Sequence, residues 1–147
     1  MPRPQNPENI TYELRMRHVL VIDDDVQVLE SYKEMLQLND CLVSTFTAGV
    51  DALKKIMEAD VDAIFCDLMM PTMAGDMFYK AVQRVKPHLC SRFVFITGYE
   101  GHPRFAEFIK REKPVVLYKP VTMGKLIGTL NLVYKRTAQE KKSPRNF

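Results

Sequence analysis

The feature of this sequence that most constrains its fold is the alternation of short apolar runs with segments of helical periodicity. An uninterrupted apolar run of strand length is typical of a strand that is buried on both faces of a sheet. Between these runs, apolar residues recur every three or four positions, and that spacing predicts helices. Five strands are predicted, at residues 19–22, 42–46, 63–66, 93–96 and 115–118.

Helices are predicted between the strands and after the last one. The first begins near Val26, Pro103 suits the first turn of the fourth, and Thr122 is a candidate cap for the fifth. Strands that alternate with helices imply right-handed crossovers and a parallel sheet covered on both faces. The predicted fold class is α/β, a doubly wound five-stranded parallel sheet for which 2-1-3-4-5 is a common strand order. The second helix is marked by Val50, Leu53, Ile56 and Met57, and the third spans residues 77–85.

A chain of 147 residues is long enough for one domain with a substantial core and too short for two ordinary ones. We expect a flexible extension at residues 1–17, a single domain at 18–137 and a basic tail at 138–147. Much of the positive charge lies in that tail, which we interpret as a solvated end rather than a nucleic-acid-binding surface. No apolar run is long enough to cross a bilayer, and the N-terminus lacks the apolar stretch of a signal peptide. Three cysteines without a metal-ligand spacing favour a reduced, cytoplasmic setting.

Polar residues gather where the predicted strands end. Asp23 and Asp24 follow the first strand, Asp67 the third, Thr97 the fourth and Lys119 the fifth. In a doubly wound sheet, ligands bind in a crevice beyond the carboxyl ends of the strands. We therefore expect these side chains to line one crevice. A lone aspartate after a strand is usually a helix cap, which is our interpretation of Asp25, but polar residues at four strand ends together indicate a site.

Several carboxylates in one crevice need compensation. Two carboxylates about 4 Å apart repel by about 4 kcal/mol at an effective dielectric constant of about 20. A cluster of hard oxygen ligands that is open to water suits Mg2+, which keeps several waters of its own, with Mn2+ as the alternative cation. Lys119 adds a second positive charge and Thr97 a hydroxyl donor. A cation, an ammonium and a hydroxyl around one carboxylate form a site for a phosphoryl group, which Asp67 would carry as an acyl phosphate.

Over residues 18–137 the sequence resembles the receiver domains of two-component response regulators, including the single-domain chemotaxis regulators. Residues 19–25, VLVIDDD, are similar to the family's first strand and acidic pair. Residues 64–71, IFCDLMMP, look like its phosphoacceptor strand and the methionine–proline loop that follows. Thr97 with Gly98 matches the switch threonine and its small neighbour, and Lys119 with Pro120 matches the family's lysine and proline.

The resemblance implies how a phosphoryl group would be accepted. Asp67 would take it from a phosphohistidine on a histidine kinase or a histidine phosphotransfer protein. Asp24 and Asp67 would ligate Mg2+ together with the backbone carbonyl of Met69, while Asp23 would act largely through bound water. No enzymatic activity is implied beyond self-catalysed phosphotransfer and slow autodephosphorylation.

The resemblance also implies a switch. Lys119 would contact the phosphoryl oxygens, and Thr97 would move inward to hydrogen-bond one of them, which would bias a partner-binding surface. The output partner would be an unknown downstream protein, or an output or kinase module fused to this chain. We expect no direct DNA binding, no membrane association, and a monomer or a phosphorylation-dependent dimer.

Two departures from the family pattern affect the expected behaviour. The family often has an aromatic switch residue three positions before the lysine, where this chain has Val116. Strand alternation puts Tyr118 on the same face, and we propose it as a partial substitute, against the plainer interpretation of a packed strand tyrosine. Met69 and Tyr99, two positions after Asp67 and Thr97, do not readily supply a base for an attacking water, and Tyr99 would shield the site. We therefore predict a phosphoryl group that persists longer than in fast chemotaxis regulators.

Two other classes share part of the pattern. A small phosphohydrolase of the haloacid-dehalogenase type also begins with a strand and Asp-x-Asp, which Asp23 and Asp25 satisfy. It needs a further acid beyond the lysine, however, and after Lys119 only Glu140 remains. Asp67 would have no role in it. A flavodoxin would need hydroxyls and backbone amides after the first strand to hold a phosphate, and aspartates stand there instead.

Overall fold

Five strands and five α-helices alternate along the part of the chain that the structure describes, residues 16–142 of a computed structural model. In chain order they are β1 (Arg17–Ile22), α1 (Val26–Gln37), β2 (Cys41–Phe46), α2 (Gly49–Glu58), β3 (Ala63–Asp67), α3 (Gly75–Val85), β4 (Phe93–Thr97), α4 (Ala106–Glu112), β5 (Val115–Tyr118) and α5 (Met123–Lys142). Short 3-10 helices at Pro87–Arg92 and Pro103–Phe105 precede β4 and α4. The strands form one sheet of order β2-β1-β3-β4-β5, and every neighbouring pair is parallel. The predicted fold class and strand order are therefore confirmed.

The core lies in two layers because helices cover both faces of the sheet. Successive side chains of a strand point to opposite faces, so each strand contributes to both layers. Leu20 and Ile64 pack in the layer that contains α2, α3 and α4. Val21 and Phe65, one position further along the same strands, pack in the layer that contains α1 and α5. This double burial explains why the inner strands are apolar without alternation.

Two helix caps lie where they were predicted, at the edge of the sheet where the strands end. The Asp25 side chain accepts hydrogen bonds from the backbone N–H groups of Gln27 and Val28, at 3.0 and 3.3 Å. The Thr122 hydroxyl accepts one from the N–H of Lys125 at 3.2 Å. Both side chains satisfy amide donors that the first turn of a helix otherwise leaves without a partner.

The second helix was predicted correctly, but two of the residues that marked it do not face the core. Val50 and Met57 are 48% and 60% exposed. The buried side of α2 includes Gly49 and Ala52 instead. A Cβ atom at Gly49 would lie 2.9 Å from the sulfur of Met73, so a larger residue there would require the Met73 side chain to move. A pattern based on large apolar residues overlooks a contact made by small ones.

The predicted ends of the domain fall partly outside the described residues, which exclude 1–15 and 143–147. Within the described part, α5 continues past residue 137 to Lys142. Its last turns contact the 3-10 helix before β4: Arg136 donates to the carbonyl of Ser91, and the Ser91 hydroxyl donates to Glu140 at 3.2 Å. All three cysteines are free thiols. Among the described helices, none has the length and apolar character needed to cross a membrane.

Candidate functional site

Three carboxylates meet at the edge of the sheet where the strands end. Asp23 follows β1 and Asp67 is the last residue of β3, and both are buried, with 1% and 5% of their surface exposed. Asp24 is exposed beside them. One oxygen from each of the three residues lies within 4.8 Å of the others. They meet because β1 and β3 are neighbouring parallel strands, with Ile22 opposite Cys66 in the register.

Backbone amides hold the two buried carboxylates in place. The N–H of Asp25 donates to Oδ1 of Asp23 at 2.9 Å. The N–H of Met69 donates to Oδ1 of Asp67 at 3.2 Å. In each carboxylate, Oδ1 is therefore held by a backbone amide of the following loop. The Oδ2 atoms of both residues face one shared partner.

That partner is Lys119, which follows β5. Its Nζ atom lies 2.9 Å from Oδ2 of Asp23 and 3.4 Å from Oδ2 of Asp67. The backbone N–H of Lys119 donates to the carbonyl of Thr97 at 2.8 Å, which continues the pairing of β4 with β5 beyond the strand end. The ammonium thus bridges the two buried acids and offsets part of their mutual repulsion.

Burial and neighbouring charges both shift the pKa values of Asp67 and Lys119. Burial, and then the nearby charge of Asp23, raise the pKa of Asp67 to about 6, although Lys119 and the Met69 amide pull it down. Burial alone would lower the pKa of Lys119, but the hydrogen bond to Asp23 and the charge of Asp67 raise it above its ordinary value. In this protein Asp67 is therefore mostly a carboxylate at neutral pH, and Lys119 is an ammonium.

The donor set fits a hard divalent cation. Three carboxylates offer oxygen atoms within 4.8 Å of one another, and one of them, Asp24, is exposed to solvent. Oxygen ligands together with access for water are what Mg2+ prefers. The excess of negative charge is also what such an ion would balance, because among residues 16–142 the two buried acids share a single cationic partner, Lys119.

The other residues predicted for the site lie around this cluster. Thr97 ends β4 and is buried, and its hydroxyl accepts a hydrogen bond from the N–H of Tyr99 at 3.2 Å. The Tyr99 ring is 58% exposed and packs edge-on against His102, with 4.8 Å between the ring centroids. Met69 and Tyr118 are 45% and 42% exposed.

Gly75 fixes how close α3 lies to the end of β3, and sequence reasoning gave it no such role. A Cβ atom at this position would lie 2.6 Å from the carbonyl oxygen of Asp67 and 2.9 Å from the Cα of Leu68. The N–H of Gly75 also donates to the carbonyl of Leu68 at 2.9 Å. The only signal in the sequence is a glycine between the predicted third strand and the predicted third helix, where glycines are common whether or not they touch another segment.

An ion pair between α3 and the loop after β4 was also missed. Asp76, directly after Gly75, is 6% exposed. Its two oxygens accept hydrogen bonds from the two terminal nitrogens of Arg104, at 2.8 and 3.3 Å. The two residues are 28 positions apart, and the local pattern around neither one indicates the pairing.

The geometry disfavours the two other classes. Glu140, the only acid after Lys119, lies beside Ser91 in the 3-10 helix that leads into β4. That is the edge of the sheet opposite the carboxylates, so Glu140 does not complete a haloacid-dehalogenase-type site. Asp25 is engaged as a helix cap. The turn after β1 presents carboxylates, where a flavodoxin would hold a phosphate.

Fold and site together define a class of signalling domain, a doubly wound α/β domain that accepts a phosphoryl group on a carboxylate. The family model of the response regulator receiver domain matches residues 19–131, and this chain belongs to that family. The resemblance inferred from the sequence is thereby confirmed. Receiver domains are the phosphoacceptor modules of two-component systems, in which histidine kinases supply the phosphoryl group and output partners respond.

The chain is similar to proteins with different architectures around this module. It superimposes on the chemotaxis response regulator CheY4 of Vibrio cholerae with a TM-score of 0.72 and 30% identity, covering 81% of this chain and 99% of that one. It is 30% identical over 84 residues to the response regulator SaeR of Staphylococcus epidermidis, covering 56% of this chain and 35% of that protein. It is 33% identical over 110 residues to the Salmonella typhimurium regulator PgtA, covering 74% of this chain and 26% of that protein. The chain therefore spans only about a third or a quarter of these two curated relatives.

Proposed function

We propose that Asp67 is the phosphoacceptor of this receiver domain, and that its donor is a phosphohistidine on a histidine kinase or a histidine phosphotransfer protein. The proposal rests on one observation: Oδ2 of Asp67 lies 3.4 Å from the Lys119 ammonium, and two further acids offer oxygens within 4.8 Å. A carboxylate oxygen of Asp67 attacks the phosphorus, the bond from phosphorus to the imidazole nitrogen breaks, and the nitrogen keeps the electron pair. With a pKa of about 6, Asp67 is mostly in the nucleophilic form at neutral pH.

Asp24, Asp67 and the backbone carbonyl of Met69 would hold Mg2+, or Mn2+, with Asp23 acting through bound water. The chemistry of the donor set supports this assignment, because all of these ligands are hard oxygens. When bound, the cation neutralises charge on the phosphoryl oxygens. Asp23 has a second task in the protein itself, because it orients the Lys119 ammonium at 2.9 Å.

Lys119 would turn from Asp67 to the new phosphoryl oxygens, which lie two bonds beyond the carboxylate oxygen that carries the phosphorus. Thr97 would donate its hydroxyl hydrogen to one of them. Its oxygen can keep the hydrogen bond from Tyr99 while it does so, because a hydroxyl donates and accepts at once. The charge gained by phosphorylation would thus bias the loop after β4, and Tyr118 on the next strand would report the change at the surface.

The output would be the binding of a downstream protein or of a module fused to this domain. Because the chain spans 35% of SaeR and 26% of PgtA, a receiver of this kind occurs within longer regulators. We propose that this one works in the cytoplasm, as a monomer or a phosphorylation-dependent dimer, with slow self-catalysed loss of the phosphoryl group.

The test is the binding of beryllofluoride, an analogue of the phosphoryl group, in the presence of Mg2+. Wild type should bind it and should also gain one phosphoryl group from acetyl phosphate, as intact-protein mass spectrometry would show. Asp67→Ala should do neither. Asp25→Asn is the matched control, because it removes a neighbouring negative charge but keeps a good helix cap.

The two variants distinguish loss of the acceptor carboxylate from loss of any negative charge near the site. If Asp25→Asn binds beryllofluoride as wild type does and Asp67→Ala does not, Asp67 is the acceptor. Phosphorylation of Asp67→Ala to the wild-type level would refute the assignment.

A further inference from the structure

We infer that the ion pair between Asp76 and Arg104 positions the loop after β4 relative to the phosphoacceptor strand, so that a change at Asp67 reaches that loop through α3 as well as through Thr97. This inference rests on the proposed function of Asp67 and adds two positioning residues to it. The β4–α4 loop is defined here as residues 98–105. It carries Tyr99, whose N–H holds the Thr97 hydroxyl.

A continuous backbone path leads from Asp67 to Asp76. Gly75 packs against the Asp67 carbonyl so closely that a Cβ atom would lie 2.6 Å from it. The N–H of Gly75 donates to the carbonyl of Leu68 at 2.9 Å. Asp76 is the next residue of α3. A shift of the backbone at the end of β3 therefore moves the start of α3, because no space separates them.

A second series of contacts leads from Arg104 back to Thr97. The N–H of Arg104 donates to Nδ1 of His102 at 3.1 Å. The His102 ring contacts the Tyr99 ring at 4.8 Å between centroids and the Phe105 ring at 5.6 Å. The N–H of Tyr99 then holds the hydroxyl of Thr97 at 3.2 Å. The β4–α4 loop is thus packed on itself. Phe105 anchors it in the same core layer as α3, and Arg104 adds the directional polar contact to that helix.

The Asp76–Arg104 pair connects α3 to the β4–α4 loop through two hydrogen bonds of defined direction. A guanidinium that donates from two nitrogens to both oxygens of one carboxylate fixes orientation as well as distance. Asp76 is 6% exposed, whereas the Arg104 side chain is 45% exposed. A further hydrogen bond to Asp76 Oδ1, from the N–H of Met77 at 3.0 Å, keeps the carboxylate in place at the start of α3.

Stability alone is a weak reason for the pair. Removing a carboxylate from water costs free energy that an ion pair recovers only in part, and apolar replacements are often as stable. An acid at the start of a helix does gain from the helix dipole. That gain accounts for an exposed Asp76 as well as a buried one, and it requires no arginine from another segment. A fixed geometry between two segments is what the arginine adds.

The experiment follows backbone amide signals by NMR as beryllofluoride and Mg2+ are added. In wild type, signals near the acceptor (residues 67–70) and signals of the β4–α4 loop should both shift. In Arg104→Gln the acceptor signals should still shift, while the loop shifts should become clearly smaller than in wild type, because only the route through Thr97 remains. Arg104→Lys keeps the charge but not the two-pronged contact and should lie between. Arg111→Gln, which removes an exposed arginine from α4, is the matched control and should behave as wild type.

If Arg104→Gln leaves too little folded protein, Asp76→Asn combined with Arg104→Gln avoids a buried unpaired charge and serves the same comparison. Loop shifts of wild-type size in a folded Arg104→Gln or double variant would overturn the inference. So would acceptor shifts in wild type with no loop shifts at all. No shift anywhere in wild type would instead contradict the proposed function, so the two failures are distinguishable.

Discussion

The contact between Gly75 and the end of β3 leads to the most direct structural prediction. In Gly75→Ala the new Cβ atom would lie 2.6 Å from the Asp67 carbonyl oxygen, 2.9 Å from the Leu68 Cα and 3.3 Å from the Asp67 carbonyl carbon. All three are backbone atoms, so no side chain can rotate away to make room. Gly75 lies in a helix, so the cost is steric rather than conformational.

The size of the effect follows from two opposing contributions. Forcing an extra carbon into a packed site typically costs about 1–3 kcal/mol. Alanine is a better helix former than glycine by up to about 1 kcal/mol in a helix interior, and by less at a first residue. We therefore expect the free energy of unfolding to fall by about 1–2 kcal/mol and the Tm by about 3–8 °C.

Gly128→Ala is the matched control, because Gly128 lies within α5 and a Cβ atom there would meet nothing within 4 Å. The same chemical change should stabilise the protein there, by about 0.5–1 kcal/mol. Urea unfolding of both variants measures the difference. Beryllofluoride binding should also weaken in Gly75→Ala, because α3 would displace the acceptor loop. Equal stability of the two variants would refute the steric argument.

Three further predictions concern the site itself. A proton and Mg2+ compete for Asp67, whose pKa of about 6 lies above its usual value. The apparent Mg2+ affinity should therefore fall about tenfold from pH 7 to pH 5. Calorimetry measures the affinity at both pH values, and equal affinities would contradict the prediction. Phosphorylated protein should keep its label for minutes or longer, because neither Met69 nor Tyr99 readily supplies a base for an attacking water. Loss of the label within seconds would contradict this, and Met69→Asn should shorten the lifetime. Tyr118→Ala should weaken the phosphorylation-dependent gain in partner affinity, and an unchanged gain would leave Tyr118 as a packing residue.

The strands and the candidate site were predictable because each rests on a local signal. An inner strand of a parallel sheet is apolar along its whole length, as β3 and β4 are. A polar residue at the end of such a strand is therefore easy to recognise. In a parallel sheet the carboxyl ends of the strands lie side by side, which brings these polar residues together. Asp23, Asp67 and Lys119 could thus be named from the sequence, although 52 residues separate Asp67 from Lys119.

What sequence reasoning missed depends on contacts between distant segments. The buried side of α2 contains Ile56, which the periodic pattern marked, together with Gly49 and Ala52, whose small size gives no periodic signal. The pairing of Asp76 with Arg104 could not be inferred, because an acid at the start of a helix and an arginine in a loop are each ordinary on the surface. Only the packing of α3 against the β4–α4 loop makes them partners.

No single stretch of the sequence forms the site, because its acids and its ammonium lie at the ends of three different strands. Anything that binds there can do so only after β1, β3 and the edge strand β5 have all joined the sheet. A phosphoryl analogue must therefore stabilise the whole domain by mass action and raise its Tm with concentration. A simple melting curve can then stand in for a binding assay when screening donors, cations or inhibitors.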